Sequence, residues 1–184
     1  ENREFFLNQN NPANFERTWK NITFVYRGVA DAVYLRCWVS GLDTAQPFEA
    51  LDHGDLWAAT IGLPKGSRVE YKLEVVRDGH SELILDPLNP AIAQDPFGAN
   101  SVCQADGYER PEWTFQDKDA QHGSLHVLQI PSPAFGGARE IQVYLPATFR
   151  KNRSYPLLVV HDGIDYLRYA DFQNVLDNLI HRLE

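Results

Sequence analysis

Between Trp19 and Val102, apolar residues recur at every second position in one segment after another. "NITFVYRG" (21–28) puts Ile22, Phe24 and Tyr26 on one side, and "AVYLRCWVSG" (32–41) puts Val33, Leu35, Cys37 and Val39 on one side. "DLWAATIGL" (55–63) and "RVEYKLEVVRDG" (68–79) follow, the latter aligning Val69, Tyr71, Leu73 and Val75. "SELILD" (81–86) and "NSVCQ" (100–104) complete the set. Side chains of a strand alternate between faces, so this period-2 pattern predicts antiparallel strands that each bury one face. Asp78-Gly79 between two such runs is a tight hairpin signal. "DPLNPAIAQDPFGAN" (86–100) holds three prolines. Proline has no N–H to give to a ladder, so a crossing loop is expected there. The result is a β-sandwich of roughly 100 residues with about seven strands, close to immunoglobulin size.

The texture then changes. Residues 1–18 are polar and Asn-rich and read as an N-terminal arm, followed by the sandwich over 19–105. Residues 106–123 are charged and unpatterned and read as a linker. In 124–184, Ser124–Ile130 and Arg139–Leu145 read as strands around a turn at Gly136-Gly137. The apolar run Leu157–His161 reads as a strand buried on both faces, as in a mostly parallel sheet. Phe172, Val175, Leu176, Leu179, Ile180 and Leu183 form a helical apolar stripe with Asp171 as N-cap. These few elements leave a sheet edge open and the stripe partly covered, which predicts a homodimer or completion by another chain.

Charge limits the partners. The 184 residues carry 25 acidic against 17 basic side chains, a net charge of -8, with no basic block. No nucleic-acid backbone binding is expected. No apolar run reaches the roughly 20 residues of a membrane span. Cys37 and Cys103 fall in separate predicted strands and read as reduced core thiols. A cytoplasmic location is expected, or a periplasmic one if a signal peptide has been removed. The sequence has no Met, and the helical pattern runs on into Glu184, so both ends are expected to be cut.

The stretch "REIQVYLPATFRKNRSYPLLVVHDGIDYLRYADFQNVLDNLI" (139–180) resembles the start of the catalytic domain of the enterochelin-esterase-like group of α/β-hydrolases. The matching features are Arg139, Tyr144-Leu145-Pro146, Tyr155-Pro156, Asp162-Gly163 and Leu176 to Ile180. Upstream, "ITFVYRG", "DLWAATIGLP", "VEYKLEV", "LDPLNP" and "NSV" are similar to the E-set, immunoglobulin-like domain that precedes it. The resemblance implies a β-sandwich followed by the beginning of an α/β-hydrolase domain over 124–184. It implies a serine esterase that forms an acyl-serine, with a small-molecule ester as substrate, a ferric siderophore among the candidates. The chemistry needs no cofactor, although such a substrate would bring iron.

The family's serine sits in a G-x-S-x-G turn, and no such motif occurs in these residues. Ser124, Ser132 and Ser154 lie in other contexts. No catalytic residue is therefore expected in this chain: nucleophile and histidine are expected beyond Glu184, and the fragment alone should be inactive. By the resemblance, Asp162, Gly163 and Ile164 are candidates for the loop that lends an N–H to the oxyanion hole. A plain turn that uses Gly163 for positive φ is the other reading. His161 reads as a packed or loop-bonding histidine. His122 and His126 lie where a four-residue spacing does not align them on a metal, and Asp162 and Asp165 read as a turn acid and a capping or solvated acid. Trp38 and Trp57 are expected in strands, packing, and Trp113 in the linker; Trp19, the fourth, opens the β-rich region. The alternative function is a non-catalytic E-set module that binds a glycan or a protein partner.

Overall fold

The computed structural model describes residues 19–39, 41–51 and 54–182, in two compact units that meet at Glu109 and Arg110. The N-terminal arm lies outside the described residues, as does Leu183 of the predicted stripe.

The first unit is an antiparallel β-sandwich. One sheet has the order β1–β5–β4, formed by β1 (Trp19–Arg27), β5 (Leu56–Pro64) and β4 (Glu49–Leu51). The other runs β3–β2–β6–β9–β8, formed by β3 (Ala45–Pro47), β2 (Ala32–Cys37), β6 (Arg68–Arg77), β9 (Gly98–Gln104) and β8 (Ile92–Asp95). β7 (His80–Ile84) also pairs with β6. The alternation places the core as expected: Phe24 and Tyr26 from β1, Val33, Leu35 and Cys37 from β2, Trp57, Ile61 and Leu63 from β5, and Tyr71, Leu73 and Val75 from β6 are all buried. The hairpin closes with Arg77 opposite His80, and Asp78 and Gly79 both have positive φ (48° and 74°). That left-handed pair is what a two-residue turn needs to match the strand twist.

Two expectations are corrected. The proline-rich segment is more than a crossing loop, because Ile92–Asp95 pairs with β9. Its prolines, Pro87, Pro90 and Pro96, all fall outside the paired residues, so the ladder forms between them. Trp38 follows the end of β2 and is 84% exposed, whereas Trp57 is buried. The two short strands β3 and β4 carry too few residues to show alternation.

A polar cluster pins the segment that follows β7. Tyr71 donates its hydroxyl to the buried Asp86 (2.6 Å), whose other oxygen accepts the Leu88 N–H (2.8 Å). Asn89 donates to the Tyr71 hydroxyl and to the Val102 carbonyl. Burial, then the bond to Asp86, pushes the Tyr71 pKa up, so the phenol stays a donor.

The second unit has one hairpin, β10 (Ser124–Ser132) with β11 (Gly137–Leu145), and two helices, α1 (Gly163–Tyr169) and α2 (Phe172–Arg182). The hairpin arrives as expected, with Gly136 at φ 70°. The predicted strand at Leu157–His161 does not form. The segment is irregular, and Leu157, Leu158 and Val159 are 87%, 66% and 69% exposed. A strand buried on both faces needs a hydrogen-bonded neighbour, and no described strand lies beside it.

Tyr71→Phe is expected to lower the stability of the first unit by about 1–3 kcal/mol, because a buried Asp86 oxygen loses its donor. Chemical denaturation read by tryptophan fluorescence measures this.

Candidate functional site

Polar chemistry in the second unit gathers at one carboxylate. Asp177 on α2 is only 2% exposed. It accepts the Gly123 N–H (2.7 Å) and the Tyr144 hydroxyl (2.7 Å) on one oxygen, and His122 Nδ1 (3.0 Å) on the other. Gly123 is required by space: a Cβ there would sit 2.5 Å from the Tyr144 hydroxyl oxygen. Burial raises the Asp177 pKa, but the bonds from Gly123, Tyr144 and His122 outweigh it and hold the carboxyl below its ordinary value. Tyr144 moves the opposite way, raised first by burial and then by the bond to Asp177.

The neighbouring Asn178 is fully buried and donates to the carbonyls of Trp113 (2.8 Å) and Phe115 (2.6 Å). Gln173 donates to the Gly123 carbonyl, and Arg182 pairs with Glu112 and Asp117. Successive helical residues are about 100° apart. Asn174, Asp177 and Asn178 therefore lie on the side of α2 opposite to the stripe of Phe172, Val175, Leu176, Leu179 and Ile180, with Gln173 and Arg182 at its borders. The helix turns its polar side to residues 112–123 and the hairpin. Its apolar stripe is half-buried at best, and Ile180 is 36% exposed. Asp171 occupies the N-cap position with φ 49° and accepts the Val175 N–H through its carbonyl. Asp177 and Asn178 lie within the Leu176 to Ile180 stretch that carries the resemblance, but sequence reasoning gives neither of them a role. Their signal is a polar pair repeating at helical spacing with Gln173 and Asn174.

The expected oxyanion-loop residues sit at the entry to α1. The positive φ belongs to Asp162 (54°), not to Gly163. The Asp162 carbonyl accepts the N–H groups of Asp165 and Tyr166. The N–H groups of Gly163 and Ile164 have no acceptor among the described residues, as in any first helical turn. A Cβ at Gly163 would meet nothing within 4 Å, so neither space nor φ demands glycine there. No hydrogen bond joins Asp162, Gly163 or Ile164 to a serine or histidine among the described residues.

The histidines divide. His122 pairs with Asp177, while His126 Nε2 lies 2.9 Å from Ser124 Oγ, two residues away on the same face of β10. A serine-activating device needs one imidazole between serine and carboxylate. Here the Ser–His and His–Asp contacts use different rings. His161, expected to pack or to bond its loop, does neither: it is exposed, with no hydrogen-bond partner among the described residues, because the strand that would have carried it inward does not form.

The lowered Asp177 pKa links stability to pH. The carboxylate contributes in full above the unfolded value of about 3.9, and the contribution drains as pH falls through the lower folded value. Asp177→Asn is expected to flatten the acid limb of thermal stability measured from about pH 7 to about pH 2. Asp177→Ala is expected to cost about 2 kcal/mol or more at neutral pH by stranding the Gly123 and Tyr144 donors.

No family model matches the sequence, and no curated protein matches it. Solved structures do share its fold. The ferric enterobactin esterase of Salmonella typhimurium matches with a TM-score of 0.66 and 16% identity over 91% of this chain and 51% of its own. The Shigella flexneri enterobactin esterase, crystallised in the presence of enterobactin, matches with a TM-score of 0.60 and 19% identity, covering 90% of this chain and 49% of its own. Another structure of the Shigella flexneri enterochelin esterase gives 0.57 and 20% over 90% and 49%. The chain spans about half the length of these structures, and over that span its fold is enterochelin-esterase-like.

Proposed function

We propose that this chain is the leading part of a serine ester hydrolase: an E-set, immunoglobulin-like sandwich and then the start of an α/β-hydrolase domain. The supporting observation is the likeness to enterobactin esterases across some nine-tenths of this chain, while half of each esterase has no counterpart in it. In this reading the G-x-S-x-G serine and its histidine belong to a segment that follows Glu184. The serine attacks an ester carbonyl, the alcohol leaves, and water frees the acid from the acyl-serine. The two unbonded N–H groups at Gly163 and Ile164 belong to the loop that receives the developing oxyanion. A siderophore ester is the substrate class favoured by the ligands of the neighbours, one of which was crystallised with 2,3-dihydroxy-N-benzoyl-serine.

The exposed apolar surface of the second unit agrees with this assignment. Leu157–Val159 and the apolar stripe of α2 are surfaces that further strands and helices of a hydrolase domain would cover. The alternative, a non-catalytic binding module, draws on the exposed aromatic pair Trp38 and Phe97 in the first unit.

Residues 1–184 alone are expected to show no hydrolysis of p-nitrophenyl butyrate and to self-associate in size-exclusion chromatography. Esterase activity in this chain would overturn the assignment of the nucleophile to a later segment. In the full-length gene product, Gly163→Ala separates loop from turn. Stability should hold or rise by about 0.4–1 kcal/mol, while kcat falls about tenfold or more because a methyl group crowds the oxyanion position. Unchanged kcat would remove Gly163 from the oxyanion hole.

A further inference from the structure

The first unit carries an open groove of about 550 Å³ on the face of its larger sheet turned away from the core. That volume lies within the range of small-molecule sites. Core residues Leu35 and Cys37 on β2 and Tyr71 and Leu73 on β6 point inward. The alternate positions, Arg36 on β2 and Glu70 and Lys72 on β6, therefore line the outer face, where Arg36 stands directly opposite Lys72. Trp38 and Phe97 also line the groove and are 84% and 94% exposed. Large rings left in water beside a polar floor are unusual on a surface without a partner.

The hydrogen bonds of the floor decide what it accepts. Glu70 takes Arg68 Nη1 on one oxygen (2.8 Å) and Asn100 Nδ2 on the other (3.0 Å). Asp95 takes Asn100 Nδ2 (3.0 Å) and the Phe97 N–H (2.7 Å). Glu74, behind the groove, takes Arg36 Nε and Ser81 Oγ. Each oxygen of the three carboxylates is thus already supplied with a donor. Three cations keep donors in reserve. Lys72 has no ion pair or hydrogen bond among the described residues, Arg36 bonds only through Nε, and Arg68 bonds only through Nη1. A ligand here meets spare N–H groups and two aromatic faces.

We infer that this groove binds a small aromatic acid: a planar ring that stacks on Trp38 or Phe97 and a carboxylate or phosphate that accepts from Lys72 and from the cross-strand Arg36. A neutral sugar would also stack, but it brings no negative charge to the ammonium and guanidinium groups. The site lies wholly within the first unit and holds whether or not the chain takes part in ester hydrolysis.

The test is titration of residues 1–184 with 2-naphthoate, 2-naphthyl phosphate, 2-naphthylmethanol, acetate and maltose, followed by amide chemical-shift changes. The naphthyl anions are expected to bind with a Kd of about 1 mM or tighter and to shift resonances of β2, β6 and β9. The tighter of the two identifies the anion as carboxylate or phosphate. Naphthylmethanol should bind several-fold more weakly and acetate not measurably. Trp38→Ala and Phe97→Ala should each weaken binding about fivefold, and Lys72→Met about threefold and only at low salt. All three side chains lie outside the core, so the fold is retained, which circular dichroism verifies. Equal binding of naphthylmethanol, tighter binding of maltose, or unchanged affinity in the variants would each overturn the inference.

Discussion

Strand β6 is the element on which the first unit depends. It is paired along both edges, with β2 on one side and with β7 and β9 on the other. One of its faces delivers Tyr71, Leu73 and Val75 to the core, and the other carries Glu70, Lys72 and Glu74. Because the side-chain period of a strand is two, a slip of one residue would exchange these faces and bury three charges. The same alternation fixes both the stability of the sandwich and the polarity of its outer surface. Tyr71 extends this control beyond the strand: its hydroxyl reaches Asp86 and so anchors the proline-rich segment that leads to β8.

The second unit is organised differently. Its helix α2 is held by side-chain to backbone hydrogen bonds rather than by an apolar seam. A buried carboxylate is expensive unless its lone pairs are filled, and Asp177 has three donors, two from the adjacent His122 and Gly123 and one from Tyr144 on β11. Asn178 does the converse, giving both amide hydrogens to the carbonyls of Trp113 and Phe115. A segment with no periodic pattern is ordered in this way, because backbone groups can be satisfied by a helix that offers polar side chains at the right spacing. The cost is that the apolar stripe points elsewhere.

This difference explains what was legible in the sequence. The sandwich core was readable because alternation reports burial directly: Val33, Leu35, Cys37, Tyr71, Leu73 and Val75 all lie where the pattern puts them. Ile92–Asp95 escaped because prolines flank it, and Trp38 was misplaced because β2 ends one residue earlier. In the second unit hydrophobicity was a poorer guide. It assigned a strand to Leu157–His161, where no described partner exists, and, although it expected the stripe of α2 to be only partly covered, it gave no sign that the polar side is the more deeply buried one. Apolar pattern predicts which surface should be covered, and these surfaces lack a described covering element. The two residues that do bury, Asp177 and Asn178, carry no such signal; only their contacts with Tyr144 and with residues 112–123 reveal them. At the entry to α1, sequence located the turn but attributed its positive φ to glycine, where Asp162 adopts it.

The same contacts constrain the chemistry of the second unit. In a triad the carboxylate matters because it fixes the tautomer of the imidazole that takes the serine proton. Asp177 is positioned to fix His122, but Ser124 leans on His126, and an orienting group on one ring does nothing for the basicity of another. Asp177 is also already committed to Gly123 and Tyr144, both of which would have to release it for any other role. Its place is therefore in the frame that holds α2 to the hairpin. At Gly163 and Ile164, donors without acceptors are what any first helical turn leaves, so the geometry of this loop is compatible with the proposed oxyanion role, and a measurement of catalysis rather than the turn itself decides it.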